Sequence, residues 1–226
     1  MWIKICANTN LADAQLAAEL GADAVGFVFA PSKRHVTPTQ VAQITPHLPV
    51  HIERVGVFPA LPAEDIAQQA QQSGLTAIQL HGGVNLALLQ RLHMLLNGQI
   101  KIIQTVHWHV DDAASATAVG AQLREIAAQG ITQHVLIDSK VGSATGGTGT
   151  PFDWSAAREV FTHAGNGLNL IVAGGLRPNN VAQAIHGLAP WGVDVASGVE
   201  LDDGTVNKDH NKIRQFIYNV KTSQSL

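Results

Sequence analysis

Short apolar runs alternate with longer amphipathic or alanine-rich stretches along the whole chain, and this alternation predicts strands and helices in turn. The apolar runs predicted to be strands are 2–6, 24–29, 52–58, 77–80, 100–106, 134–138, 169–173 and 193–196. The stretches predicted to be helices are 10–20, 38–46, 62–72, 84–96, 113–129, 153–163, 178–188 and 208–220. Residues typical of helix ends occur near these predicted boundaries. Asn10 can cap the first helix, Gly130 can end the fifth and Pro178 suits the opening turn of the seventh.

Eight strand–helix units in succession imply parallel strands joined by crossover helices. The fold class that uses this count best is a single (β/α)₈ barrel, the TIM barrel, with eight parallel strands. A doubly wound open sheet is the alternative. We expect one domain over residues 1–226, because no linker or low-complexity segment interrupts the pattern, and we expect only the tail 221–226 to fray.

Composition and charge narrow the class of protein further. A hydrophobic content of 46% is ordinary for a globular core, and a net charge of −3 supplies no basic surface for nucleic acid. The single cysteine excludes an intrachain disulfide and a cysteine-based zinc cluster. The opening MWIKICANTN lacks the apolar segment of a signal peptide, and no apolar run approaches the roughly 18 residues of a membrane span. We therefore expect a cytoplasmic protein with no nucleic-acid or membrane partner.

A thiol and a carboxyl group are the candidates for proton transfer. In barrels of this class the active site forms at the C-terminal ends of the strands, where Cys6 ends the first predicted strand and Asp138 the sixth. Lys4 has the same parity as Cys6, and we expect it to form a buried ion pair with Asp194 of the eighth strand beneath the site. The alternatives are a structural buried cysteine and a carboxylate that caps a loop.

Glycines follow the last two predicted strands. Gly174 and Gly175 come after the seventh strand, and Ser197 and Gly198 after the eighth. Loops of this kind let backbone N–H groups approach an anion closely, and barrels often bind phosphate there. Tight turns are the alternative role for these glycines, but their occurrence at both strands predicts a phosphate site.

Three other positions are candidates for substrate contact. His81 ends the fourth predicted strand and either contacts substrate or caps the strand. Arg34, in the loop sequence PSKRH, suits bidentate binding of a carboxylate. Gly147 belongs to the glycine-rich loop 143–154, which is long enough to close over a substrate as a lid.

His107 and His109 raise the question of a metal site. Two histidines at this spacing share a strand face, and Asp111 and Asp112 follow them. No partner carboxylate or histidine cluster is evident at the other strand ends, so we predict no metal.

A set of motifs spread over nearly the whole chain resembles one known family. The motifs are KIC (4–6), GADAVGFVF (21–29), VGVF (55–58), IQLHG (78–82), LIDS (136–139), GGTGTPFDW (146–154), AGGLRPNNV (173–181), DVASGVE (194–200) and KDHNKI (208–213). They are similar to those of the phosphoribosylanthranilate isomerases of tryptophan biosynthesis. No motif decides alone, but the set is specific.

The resemblance implies an Amadori rearrangement of N-(5-phosphoribosyl)anthranilate to 1-(2-carboxyphenylamino)-1-deoxyribulose 5-phosphate. Cys6 falls where the family has its general base, which takes the ribose C2 proton, and Asp138 where it has the general acid, which protonates the furanose oxygen. Arg34 stands in the place of the arginine that binds the anthranilate carboxylate. The implied partner is a small phosphorylated substrate, with no metal or organic cofactor, in a monomer or homodimer.

The chain departs from the family pattern beside Cys6, where it reads KICANT. Ala7 replaces the usual glycine and Asn8 a common aliphatic residue; if that position has a positive φ, Ala7 adds strain of roughly 1 kcal/mol. Two other functions stay open. One is another phosphosugar isomerase, such as a dual-substrate relative of aminoimidazole ribotide isomerase, which would carry an aspartate where Cys6 stands. The other is a binding protein for phosphorylated ligands without catalysis.

Overall fold

The strands of the protein close into a barrel. The computed structural model describes residues 1–140 and 154–223, and within these residues eight parallel strands pair in sequence order. The strands are β1 (Trp2–Ile5), β2 (Ala24–Val28), β3 (Glu53–Phe58), β4 (Ala77–Leu80), β5 (Lys101–His109), β6 (His134–Lys140), β7 (Asn169–Ala173) and β8 (Gly192–Val195). The helices of the same residues are α1 (Leu11–Glu19), α2 (Pro38–Ile44), α3 (Ala63–Gln72), α4 (Leu86–Leu96), α5 (Ser115–Gln129), α6 (Trp154–Ala164), α7 (Val181–Leu188) and α8 (His210–Thr222).

Strand β1 lies between β2 and β8, and this pairing decides between the two predicted architectures. Lys4 stands opposite Ala24 on one side and opposite Asp194 on the other. An open sheet would leave two unpaired edges, whereas here the first and last strands pair with each other. The closed barrel is confirmed and the open sheet is wrong.

The helix ends confirm two of the three boundary predictions. The Asn10 side chain accepts a hydrogen bond from the Asp13 backbone N–H at 2.9 Å, and Gly130 ends α5 with a φ of 62°. Pro178, however, precedes α7, which begins at Val181. At the other end of the chain α8 runs to Thr222, two residues into the tail predicted to fray. In the described part of the chain, no helix combines the length and apolar character needed to cross a membrane.

Two strands run further than their apolar patterns predict. Strand β5 continues to His109 and β6 to Lys140, because the two strands go on pairing beyond their apolar segments. Asp138 is therefore not the last residue of its strand. It stands in register with His107 on β5 and with Ala173 on β7, which fixes its neighbours on both sides.

The inside of the barrel carries an apolar group of residues and a polar group. The apolar cluster comprises Trp2, Ala24, Val55, Ala77, Ile103, Leu136, Ile171 and Ala173. The polar group includes the buried side chains of Lys4, Gln79, Thr105 and Asp194. A second, larger apolar core lies between the strands and the helices. Because the interior is filled, a ligand can enter only above these residues, at the C-terminal ends of the strands.

Candidate active site

A cavity of about 360 Å³ opens at the C-terminal ends of the strands. The predicted site residues that line it are Cys6, Arg34, His81, Asp138, Gly174, Gly175 and Ser197. Gly198 is not among the lining residues, and Gly147 lies outside the described residues, as does most of the predicted lid. Residues far apart in the sequence thus come together around one space.

Cys6 is held at the seam where the barrel closes. Its backbone N–H donates to the carbonyl oxygen of Val195 at 2.8 Å, which continues the pairing of β1 with β8. A side chain on Gly26 of β2 would collide with it, since a Cβ there would lie 2.7 Å from the Cys6 Sγ and 2.9 Å from the Lys4 Cε. Glycine at position 26 therefore leaves the space that the Cys6 thiol and the Lys4 side chain occupy.

The predicted ion pair beneath the thiol is confirmed. The Lys4 Nζ donates to the Asp194 Oδ1 at 2.9 Å and to the Gln79 Oε1 at 3.0 Å, and the Lys4 side chain is fully buried. The Gln79 amide in turn donates to the Thr105 hydroxyl at 3.2 Å. Sequence reasoning did not assign Gln79, although it lies two residues before His81 and therefore shares its inward-facing parity. The pair is part of a four-residue network across the barrel.

This network sets the charge state of the site. Burial raises the pKa of the Cys6 thiol above its usual value, and the positive charge of Lys4 opposes that rise. Burial alone would lower the pKa of Lys4, but the neighbouring Asp194 carboxylate raises it, so the ammonium group stays charged. A fixed cation thus lies beneath the thiol, where it stabilises the thiolate that a proton-abstracting cysteine needs.

Asp138 stands in a group with two histidines. The His81 Nε2 lies 4.0 Å from the Asp138 Oδ2, and the rings of His81 and His107 meet edge to face with centroids 4.9 Å apart. The His107 Nε2 is 3.1 Å from the backbone carbonyl oxygen of His81. The expectation that no histidine–carboxylate cluster occurs at these strand ends is wrong. Sequence reasoning considered His107 with His109, whereas the register of β5 and β6 sets it beside Asp138.

Arg34 has a partner inside the protein. Its Nε and one terminal nitrogen donate to the two oxygens of Glu200 at 2.6 and 2.8 Å. The Lys208 Nζ, fully buried, lies 3.4 Å from the same carboxylate. Burial alone would raise the pKa of Glu200, but Arg34 and Lys208 together hold it below its usual value. Arg34 lines the cavity as predicted, yet its fork of donors is already engaged by Glu200, which sequence reasoning did not assign.

Comparison with known proteins identifies the family to which this arrangement belongs. The model of the N-(5'-phosphoribosyl)anthranilate (PRA) isomerase family matches residues 3–219. The chain belongs to the phosphoribosylanthranilate isomerase family. It is an isomerase of the aldose–ketose type in tryptophan biosynthesis.

The similarity to individual relatives extends over nearly the whole of both chains. The isomerase is 40% identical to the N-(5'-phosphoribosyl)anthranilate isomerase of Thermotoga neapolitana, over 97% of this chain and 98% of the relative. The solved phosphoribosylanthranilate isomerase of Thermotoga maritima is 36% identical, with a TM-score of 0.82 over 98% of this chain and 99% of that one. A structure in complex with reduced 1-(o-carboxyphenylamino)-1-deoxyribulose 5-phosphate is 34% identical, with a TM-score of 0.77 and the same coverage.

The glycines of the two predicted phosphate loops are required by the backbone of this isomerase. Gly174 and Gly175 have φ angles of 82° and 69°, in the left-handed region. A side chain on Gly174 would overlap Ser139, and one on Gly198 would overlap the backbone of Leu176. Gly198 therefore packs the loop after β8 against the loop after β7, which explains why it does not reach the cavity.

The turn after Cys6 shows how the isomerase accommodates its departure from the family pattern. Ala7 has a φ of 61°, which is the left-handed conformation expected of the glycine it replaces. The Asn8 Nδ2 donates to the carbonyl oxygens of Ile5 at 2.8 Å and Gly26 at 3.2 Å, and its side chain is fully buried. Asn8 thus ties the turn to β1 and β2.

Proposed function

We propose that Cys6 and Asp138 are the general base and general acid of the rearrangement that this isomerase catalyses. The observation that carries the proposal is that both groups line one cavity from different strands, with Lys4 buried beneath the thiol. A pair of groups on separate walls can act on opposite sides of a bound sugar ring. Their correspondence to the base and acid positions of the family supports the same assignment.

The substrate is held at both ends. Its phosphate binds to the backbone of the loops after β7 and β8, at Gly174, Gly175 and Ser197. Its anthranilate carboxylate pairs with Arg34, which lies in the loop between β2 and α2. Such anchoring places the ribose between the acid and the base before reaction, so part of the entropic cost is met on binding.

Ring opening comes first. The Asp138 carboxyl group donates its proton to the furanose ring oxygen, and the bond between that oxygen and C1 breaks as the nitrogen lone pair forms a C1–N double bond. The thiolate of Cys6 then removes the proton from C2, and the electrons of that C–H bond form a C1–C2 double bond while those of the C–N double bond return to nitrogen. A final shift of a proton from the C2 hydroxyl to C1 gives the ketone, so that atoms and charge balance.

The test is a fluorescence assay of substrate consumption with wild type, Cys6→Ser and Asp138→Asn. Each substitution is expected to reduce kcat by about 10²–10⁴-fold, the usual contribution of one proton-transfer group. Thermal unfolding of each variant establishes that the barrel is intact. Normal turnover in either variant would disprove the assigned role. A wild type that bound the phosphorylated ligand without converting it would favour the binding protein.

The assembly of the isomerase is a monomer or a homodimer. One solved Thermotoga maritima structure, 34% identical to this chain, contains monomers generated from a dimeric phosphoribosylanthranilate isomerase. The candidate base, the candidate acid and the candidate substrate-binding residues that line the cavity meet within one barrel. We therefore propose that catalysis is complete within each protomer. Light scattering across a dilution series, compared with specific activity, tests this, and activity that fell as a dimer dissociated would contradict it.

A further inference from the structure

Three potential metal ligands converge at the ends of neighbouring strands. His81 follows β4, His107 lies on β5 and Asp138 on β6, and the potential ligand atoms of all three lie within 4.8 Å of one another. Pairing of β5 with β6 sets His107 and Asp138 in register, so the cluster is built into the barrel wall. Nothing in the rearrangement described above uses His107.

We propose that His81, His107 and Asp138 bind one divalent transition-metal ion, with Zn²⁺ as the best match, and that the bound ion inhibits the isomerase. Two imidazoles and a carboxylate are a ligand set that zinc accepts, with bonds of roughly 2.0–2.2 Å that place ligand atoms about 3.4 Å apart. The 4.0 Å between the His81 Nε2 and the Asp138 Oδ2 is close to that spacing. Small side-chain rotations would bring the two atoms to the spacing of zinc ligands.

The hydrogen bonding of His107 suits a metal ligand. Histidines that bind metal commonly use their second ring nitrogen in a hydrogen bond to a carbonyl or carboxylate, which fixes the ring. The His107 Nε2 lies 3.1 Å from the His81 carbonyl oxygen, so Nδ1 is the atom assigned to the metal. The backbone of one ligand thereby orients the ring of the next.

An ion can reach this cluster from the active-site cavity. The His81 side chain is 26% exposed, and both His81 and Asp138 line the cavity. The fourth position of a tetrahedral ion would face that space and hold water. The cluster lies on the wall of the barrel formed by β4, β5 and β6. The cations Lys4, Arg34 and Lys208 lie on other parts of the fold, where each one pairs with a carboxylate.

Inhibition follows from the use of Asp138, and this half of the inference rests on its proposed role as the acid. A carboxylate bound to a metal has no proton to donate, and the ion occupies the side of the cavity where the furanose oxygen must lie. Substrate and ion therefore compete for the site. Bound Zn²⁺ should raise the apparent KM, and excess chelator should restore full activity.

Metal binding is tested first without reference to catalysis. Chelator-treated Cys6→Ser protein, which lacks the thiol as an alternative ligand, is titrated with Zn²⁺ by calorimetry and with Co²⁺ by visible absorption. We expect one saturable site, weakened at least about tenfold by a further His107→Gln substitution and unchanged by His109→Gln, its matched control two residues along β5. Absence of saturable binding, or equal binding by the His107→Gln protein, would overturn the site.

Inhibition is tested separately with the Cys6-containing enzyme. Zn²⁺ should inhibit it reversibly and competitively with substrate, and His107→Gln should need at least about tenfold more Zn²⁺ for the same fractional inhibition. Sensitivity equal to that of the parent enzyme would overturn the inhibitory role. If Asp138→Asn proved catalytically normal, the proposed acid would fail, whereas the calorimetric result for the metal site would stand or fall independently.

Discussion

Arg34 donates two hydrogen bonds to Glu200 at the rim of the cavity, although 166 residues separate them in the chain. Both oxygens of the carboxylate are engaged, so the guanidinium plane is oriented before any substrate arrives. Lys208 approaches the same carboxylate from the buried side. An arginine held in this way presents its remaining N–H groups to the cavity in a fixed direction.

Replacement of Arg34 by lysine is expected to weaken substrate binding more than turnover. Lysine keeps the charge but loses the planar fork, so it cannot contact Glu200 and the substrate carboxylate in the same geometry. The KM should rise about tenfold or more, with a smaller change in kcat, because the lost contact is present in both ground and transition states. Steady-state kinetics measures both constants.

The exposed pair of Arg91 and Glu64 supplies the control for this change. Arg91→Lys alters the same chemical group on the protein surface, away from the cavity. Its kinetic constants should equal those of the wild type. A KM for Arg34→Lys as low as that of Arg91→Lys would show that Arg34 does not hold the substrate.

Loss of Lys4 is expected to change the pH dependence of catalysis. Lys4 lowers the pKa of Cys6 and Asp194 raises it, so Lys4→Met leaves the thiol beside an unpaired carboxylate and raises its pKa further. The rising limb of kcat/KM against pH should therefore move toward higher pH. Activity at neutral pH should fall about tenfold or more and recover in part in alkaline buffer.

The same substitution carries a stability cost that must be separated from its effect on pH. An uncompensated buried carboxylate typically costs about 3–5 kcal/mol, and urea unfolding of Lys4→Met against Lys4→Met/Asp194→Leu measures it. Lys101→Met, which breaks an ion pair with Glu53 outside the cavity, is the matched control. A kinetic pH profile of Lys4→Met that coincided with the wild type would refute the electrostatic role of Lys4.

Substitution of Ala7 by glycine should stabilise the isomerase. A left-handed backbone costs alanine roughly 1–2 kcal/mol more than glycine, while glycine loses more entropy on folding, so the net gain should be about 1 kcal/mol. Urea unfolding measures it. Ala189, with a φ of 46° at the end of α7, is the control, because Ala189→Gly should stabilise the fold without any change in kinetics. A loss of stability in Ala7→Gly would contradict the strain assigned to Ala7.

The stability of the fold should fall in mildly acid solution because of His134. Burial and the positive charge of Lys101 lower its pKa to about 4 from 6.5. Between those two values the unfolded chain binds a proton that the folded chain does not, so the free energy of unfolding decreases as the pH falls. Since the ring is only partly buried, we expect an effect of about 1 kcal/mol between pH 7 and pH 4.5.

Urea unfolding of His134→Gln at both pH values checks this expectation. Glutamine keeps a polar group near Asn169 but does not titrate, so the variant should lose less stability on acidification than the wild type. His51→Gln, at an exposed position, is the control, and its pH dependence should overlay that of the wild type. Equal slopes for His134→Gln and wild type would exclude His134 as the acid-sensitive group.

Much of the fold and part of the site could be predicted from the sequence, for a specific physical reason. In a barrel both faces of each strand are buried, so strands are marked by apolar runs and their order follows the chain. The parity of Lys4 and Cys6 then placed both inside, and closure of the last strand against the first brought Asp194 to Lys4. These inferences need only the alternation of side chains between the two faces of a strand.

The contacts that the sequence did not reveal depend on the register between neighbouring strands. The two-residue period of a strand determines the face on which a side chain lies, but not which residue of the next strand lies beside it. The meeting of His107 with Asp138 follows from the stagger of β5 and β6, and the approach of Glu200 to Arg34 follows from the path of two loops. The end of β5 was also not predicted, because His107 and His109 interrupt its apolar run while pairing with β6 continues to His109.

Pairing of the first strand with the last also constrains when the enzyme can become active during its synthesis. The ribosome releases β1 early, yet the carboxylate that Lys4 needs arrives 190 residues later with Asp194. Until β8 is synthesised, the Lys4 ammonium group lacks its Asp194 counter-ion, and its burial without that partner is unfavourable. The nascent chain therefore stays open at this seam, and a prematurely terminated polypeptide that lacks β8 would expose both the unpaired edge of β1 and its lysine to quality-control proteases.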